Sequence, residues 1–343
     1  MNDFDYLLDL PGEEQERRWL QERLETLSVR EGIALAAAAQ REPPEDMAQA
    51  INCLQSLDEY TIYLDVGSYK ELGRRYLMCE TPMPCNAVPF IDLQAIGKKY
   101  EAQHPGLFIG NYFVQYPKDA PQPVYQGQGS PLPEDSGWGV KLKIASSAVP
   151  EGVWLRLPGL WEEGVMHENS LDETMALQEL RAQCWDECTL LDAQCTLPEA
   201  GNLLTQYDDL YDLIHEGHAL SCVLRDHGQG SPDFMERYAA ALSLEHCNNL
   251  RFALNISRNL HCYDWIPCGG QEASAEKSLL DAGVSEELIR FSEIDLAGYK
   301  AHLLEEKGYM PTPDGKAYIK RNDEEFREVY YSAAPEQSGM TMQ

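Results

Sequence analysis

Shifting the chain by 203 residues lays Asn52 on Asn255, Leu57 on Leu260, Tyr60 on Tyr263 and Leu77 on Leu280. In the same register Ile91-Asp92-Leu93 falls on Ile294-Asp295-Leu296, and the Ala36–Ala38 run falls on Ala239–Ala241. With gaps allowed, Gly106 and Tyr112 pair with Gly308 and Tyr318. A single ungapped offset held over roughly 60 residues asks for two similar structural units. Most of the matched positions are apolar, as expected of residues kept for packing.

Periodicity supplies the elements of each unit. Trp19, Leu20, Leu24 and Leu27 recur at helical spacing over 13–27, as do Met47, Ala50, Ile51 and Leu54 over 45–57. A strand is predicted over 60–64, a helix over 69–78 and another from Asp92. Asp92 and Asp295 are each placed to accept from the free amides of a first helical turn. Five prolines and three glycines between Pro117 and Gly137 disfavour both helix and ladder, so this stretch reads as an extended linker. Beyond it, 140–146 and 152–157 alternate like paired strands, 171–180 is helical, and 188–197 returns to strand. Helices follow over 203–214, 234–244 and 250–258, then short strands near 263–266 and 317–319.

The expected fold class is α+β: an elongated, multi-domain chain with two related helix-rich α/β units flanking a small α+β module. The divisions are 1–116 for the first repeat unit, 117–137 for the linker, 138–199 for the acidic module and 200–331 for the second repeat unit. Residues 332–343 form a tail with few anchors.

Charge narrows the function classes. The chain has 57 Asp and Glu against 27 Lys and Arg, a formal net charge of -30. Between Leu157 and Leu224 there are fourteen acids and one cation, Arg181. Such a surface repels nucleic acid and membranes, and it points to a basic protein partner or to imitation of nucleic acid. Duplex DNA carries one charge per about 1.7 Å, so thirty displayed charges could imitate at most roughly 50 Å of duplex. Solubility alone also accounts for acidity of this kind. The longest apolar stretch, Ile33–Ala39, is too short to span a bilayer, and the N-terminus is acidic, so a cytoplasmic location is expected. Ten cysteines without paired CxxC spacing read as reduced, buried thiols.

Candidate chemistry is sparse. His215, His218, Cys222 and His227 place three zinc-compatible side chains on one helical face, a weak metal candidate beside the reading of a helix end with ordinary histidines. The His-Glu-Gly-His spacing is three, whereas the metalloprotease HExxH needs four. Cys184 and Cys188 flank Trp185, a spacing better explained by packing. There is no GxSxG, and Gly127, Gly129 and Gly137 include no P-loop lysine. Neither a catalytic residue nor a cofactor is assigned, and an enzyme is not expected. Tyr207, Tyr211, Trp161 and Trp185 lie among acids without the Lys and Arg that a nucleic-acid binder needs, which disfavours direct binding of nucleic acid. The cations Lys70, Arg74, Arg75, Lys98, Lys99, Lys316, Lys320 and Arg321 lie within the repeats and are expected to pair with neighbouring carboxylates.

Val284–Arg321, with Ile294-Asp295-Leu296 opening a helix, Gly308-Tyr309 and a closing Tyr318-Ile319 strand, resembles the C-terminal part of the ArdA antirestriction family. Tyr69–Tyr116 looks like a second copy. It implies an acidic, elongated DNA mimic of mobile elements that occupies the DNA-binding groove of type I restriction-modification enzymes. It also brings a homodimer into consideration, which two copies in one chain would replace or extend. The chain is about twice the length expected of such a protein, and its 138–197 module has no counterpart there. On this reading Glu162, Glu163, Glu168, Asp172, Glu173, Glu179, Asp186, Glu187, Asp208, Asp209, Asp212 and Glu216 each stand in for a phosphate. Two alternatives stay open. An acidic module inhibiting or regulating another defence or nucleic-acid-binding protein would bind through a local hydrophobic hot spot. A zinc-dependent enzyme would need the 215–227 cluster.

Overall fold

The computed structural model describes residues 4–79, 88–160, 169–228, 233–268, 271–291 and 294–330. Among them are thirteen α-helices and three small antiparallel sheets of three strands each, an α+β fold. The chain separates into two compact units, 1–192 and 193–343.

The first unit opens with α1 (Glu14–Glu25), α2 (Val29–Arg41) and α3 (Met47–Gln55). Each start is written locally. Glu13 with Glu16, and Ser28 with Glu31, form capping boxes, while Asp46 accepts from the Gln49 amide at 2.8 Å. The apolar faces of these helices close on one core that includes Leu20, Leu35, Met47 and Ile51. Next come β1 (Thr61–Tyr63), α4 (Tyr69–Cys79), α5 (Leu93–Gln103), β2 (Gly106–Ile109) and β3 (Tyr112–Gln115). The sheet order is β1-β3-β2, with Ile62 opposite Val114 and Leu107 opposite Val114 on the other side.

The acidic module is divided, with residues 138–192 in this first unit and 193–199 in the second. Its strands β4 (Val140–Ser146), β5 (Val153–Leu157) and β6 (Cys188–Cys195) make a sheet in the order β5-β4-β6, and α6 (Leu171–Leu180) sends Met175 into the core formed by α1 to α3. The stretch 117–137, expected to be a linker, is also built in. Trp19 Nε1 donates to Pro133 O at 2.9 Å, and Asp135 takes Lys141 at 2.5 Å and Arg23 at 3.2 Å. Prolines and glycines excluded helix and ladder there, but backbone carbonyls left free by an irregular path can still accept from side chains.

The second unit follows the first in order: α7 (Pro198–Leu204), α8 (Leu210–Gly228), α9 (Phe234–Leu244), α10 (Leu250–Arg258), β7 (Tyr263–Pro267), α11 (Gln271–Asp281), α12 (Glu286–Phe291), α13 (Leu296–Glu306), β8 (Met310–Pro311) and β9 (Ala317–Arg321). The helix predicted over 203–214 is two helices. The chain breaks after Leu204, and the Asp209 carboxylate accepts from the Tyr211 and Asp212 amides at 2.7 and 3.2 Å to start α8.

The repeat is structural. Helices α3 and α10 have nine residues each and begin at 47 and 250; α5 and α13 have eleven each and begin at 93 and 296. Asp92 and Asp295 cap as expected, accepting from Ala95 N at 3.0 Å and Gly298 N at 2.8 Å. The second sheet repeats the first as β7-β9-β8. The matched asparagines do the same work. Asn52 Oδ1 accepts from Val124 N and Tyr125 N, both at 2.8 Å, and its Nδ2 donates to Tyr125 O at 2.8 Å. Asn255 Oδ1 accepts from Val329 N at 2.8 Å and Tyr330 N at 2.9 Å, and its Nδ2 donates to Tyr330 O at 2.7 Å. In each copy one side chain therefore pins a Val-Tyr pair arriving from beyond the sheet. The expected tail, 332–343, lies outside the described residues.

Candidate acidic binding surface

The twelve acids singled out in the sequence separate by environment. Glu179, Asp186, Glu187, Asp208, Asp209 and Asp212 are exposed. The first five form no ion pair among the described residues. Asp212 takes Arg251 Nη2 at 3.3 Å. Glu162, Glu163 and Glu168 lie outside the described residues.

Three of the twelve face inward, a correction to the expected set. Asp172 is only 3% exposed, and it accepts from Arg30 Nε at 2.9 Å and from Leu160 N at 2.8 Å. Glu173 is buried and closes the capping box of α6 with Ser170. Glu216 is 4% exposed, held between the Tyr207 hydroxyl and Arg251. Burial pushes the carboxyls of Asp172 and Glu216 up from the ordinary range. An acid already satisfied inside the protein cannot meet a partner's cation.

The polar center of the first unit was not visible in the sequence. Glu31, 0% exposed, accepts from Arg23 and Arg156 and from the Ser28 amide at 2.9 Å. Arg30 reaches Asp58 at 2.5 Å as well as Asp172, and Lys141 donates to Asp135 at 2.5 Å and Thr26 Oγ1 at 3.2 Å. Four buried cations thus face four carboxylates. Burial alone would raise the Glu31 carboxyl, but Arg23 and Arg156 hold it well below the usual carboxylate range. Burial also pushes the Lys141 ammonium down. The only sequence trace of this network is Ser28-x-x-Glu31, the signature of a capping box, which says nothing of the arginines that converge on it.

Among the described residues the metal candidate does not assemble. His215 is exposed, His218 and Cys222 are half-buried, and the His227 side chain lies outside the described ones. No group of three His, Cys, Asp or Glu able to hold a metal occurs among the described residues. The eight described cysteines are free thiols. Burial pushes Cys53 up to about 12 and Cys195 up to about 11.

The repeat cations behave differently in the two copies. Lys316 pairs with Asp314 at 3.6 Å and Arg321 with Glu245 at 3.1 Å, while Lys320 donates to Lys307 O at 2.7 Å. In the first copy, Lys70, Arg74, Lys98 and Lys99 make no ion pair among the described residues, contrary to expectation. Arg75 and Lys98 lie over the rings of Tyr63 and Tyr69, at 4.6 and 5.8 Å from the centroids.

The fold and surface define the class: an acidic α+β protein built on an internally duplicated helix and sheet unit. No family model matches the chain, and comparisons with curated proteins and with solved structures find no match. No described helix is long and apolar enough to cross a membrane.

Proposed function

We propose that this protein is an antirestriction-type inhibitor that presents DNA-like charge to the DNA-binding groove of a type I restriction-modification enzyme in the cytoplasm. The observation that carries the reading is the uncompensated state of the exposed acids. Glu179, Asp186 and Glu187 in the first unit, and Asp208 and Asp209 in the second, make no ion pair among the described residues, while four cations of the first unit are consumed in its interior. A carboxylate without an internal cation is free to accept from Lys or Arg of a DNA-binding groove. The reading is non-enzymatic and needs no cofactor.

The test is inhibition of a purified type I restriction-modification enzyme at low and high salt, with DNA as competitor. Inhibition that weakens with salt and is relieved by excess DNA supports the proposal. Failure to inhibit at any salt sinks it. Inhibition indifferent to salt would favor the alternative of a protein-binding module acting through a hydrophobic hot spot.

A further inference from the structure

The duplicated unit has kept its fold and inverted its charge. Helices α4 and α5 of the first copy carry five cations (Lys70, Arg74, Arg75, Lys98, Lys99) against two acids, Glu71 and Glu101. Helices α11 and α13, their counterparts, carry five acids (Glu272, Glu276, Asp281, Glu305, Glu306) against Lys277 and Lys300. Helix α12 adds Glu286 and Glu287 against Arg290.

In the first copy Lys70, Arg74 and Lys98 share one surface. Lys70 and Arg74 are a turn apart on one face of α4, and the Lys98 ammonium reaches across to the Tyr69 ring beside them. The two helices are locked at close approach, because a Cβ on Gly73 would collide with Leu93 O and one on Gly97 with Tyr69 O. Lys70, Arg74, Lys98 and Lys99 are exposed and without an ion pair among the described residues. So are Asp281, Glu286, Glu287 and Glu305 of the second copy. Each hairpin also displays a ring just ahead of its Asp-capped helix: Phe90 is 90% exposed and Phe291 88%. A phenyl ring left in water on both hairpins is the apolar complement to the paired charges.

We propose that the basic hairpin α4–α5 of one chain docks on the acidic helices α11–α13 of a second copy of this chain. A strongly acidic molecule repels free polyanions over most of its surface, so the occupant must offer concentrated acid together with apolar contact, and the second copy offers both. The contact is heterologous: two chains close on each other through both hairpins, or successive chains add head to tail. It does not rest on the antirestriction reading.

The experiment is sedimentation of the full chain over a range of concentrations. Association above the 38.7 kDa of one chain is expected at low salt and dissociation at high salt. Lys70→Glu, Arg74→Glu and Lys98→Glu together should weaken self-association about tenfold or more. Glu286→Lys, Glu287→Lys and Glu305→Lys together should do the same. An equimolar mixture of the two variants should recover a 1:1 complex, and a chain carrying both sets should associate with itself again, which a merely damaged fold would not do. Circular dichroism checks that each variant is folded. A wild-type chain that stays monomeric at every concentration overturns the proposal, as does failure of the two variants to pair. Short duplex DNA bound by the wild type and lost in the Lys70, Arg74, Lys98 variant would also overturn it, by giving the hairpin to nucleic acid.

Discussion

Asn52 and Asn255 show how much one side chain can decide. Each makes three hydrogen bonds to backbone that arrives from more than 70 positions away. Truncation would leave two amides without their acceptor. Asn52→Ala and Asn255→Ala are each expected to cost about 2–3 kcal/mol in urea unfolding; a change below about 0.5 kcal/mol would mean that water replaces the clamp without loss. Glu31 is the second decisive residue. Its carboxyl lies below its unfolded value, so its contribution is complete above about pH 4.3 and is lost as pH falls toward the folded pKa. Glu31→Gln removes the fully buried anion that Arg23 and Arg156 share, leaving them Asp135 and the more distant Asp58, and should cost about 3–5 kcal/mol at neutral pH. The gap between wild type and variant should narrow below about pH 4.3, which denaturation at pH 7, 5 and 3 would read. A gap independent of pH would assign the loss to packing instead of charge. Asp172 runs the other way. Its raised pKa makes its charged form a liability that protonation relieves, so it partly offsets the acid loss from Glu31.

At the scale of elements, capping and periodicity were reliable where the signal is local. The caps at Asp92 and Asp295 start the helices they should. The break between α7 and α8 was missed because apolar spacing continues through it, while α7 ends at Leu204 and Asp209 starts α8. The 117–137 stretch was misjudged for a different reason. Its composition excludes regular structure but does not report the distant partners Trp19, Asn52, Arg23 and Lys141 that hold it. Limited proteolysis should therefore spare 117–137 under native conditions, since cleavage needs local opening. Early cleavage there, ahead of other sites, would return it to the status of a linker.

For the whole molecule, the proposed action is distributed. Neutralising one exposed acid, such as Asp186→Asn, should change inhibition by about 1 kcal/mol or less, because an exposed ion pair is worth no more. Reversing Asp186, Glu187, Asp208 and Asp209 together should abolish it, measured as the concentration for half inhibition. Loss of all inhibition from one of these substitutions alone would contradict charge mimicry. Asp172→Asn and Glu216→Gln should instead leave inhibition unchanged, since both carboxylates are spent on internal arginines.

Much of the architecture was legible because duplication and helix starts are written in local order. An offset of 203 residues, an Asp before Leu-x-x and an apolar face every three to four positions depend only on neighbors along the chain, and they suffice for two copies of one unit. Tertiary structure alone decided which acids face water. Asp172 and Asp186 are indistinguishable in composition and setting, yet one is sealed against Arg30 and the other stands exposed. Burial of a charge depends on whether a cation far along the chain arrives beside it: Arg30 reaches Asp172 across 142 residues and Arg156 reaches Glu31 across 125. Only folding brings such partners within the few ångströms at which their attraction offsets the loss of water.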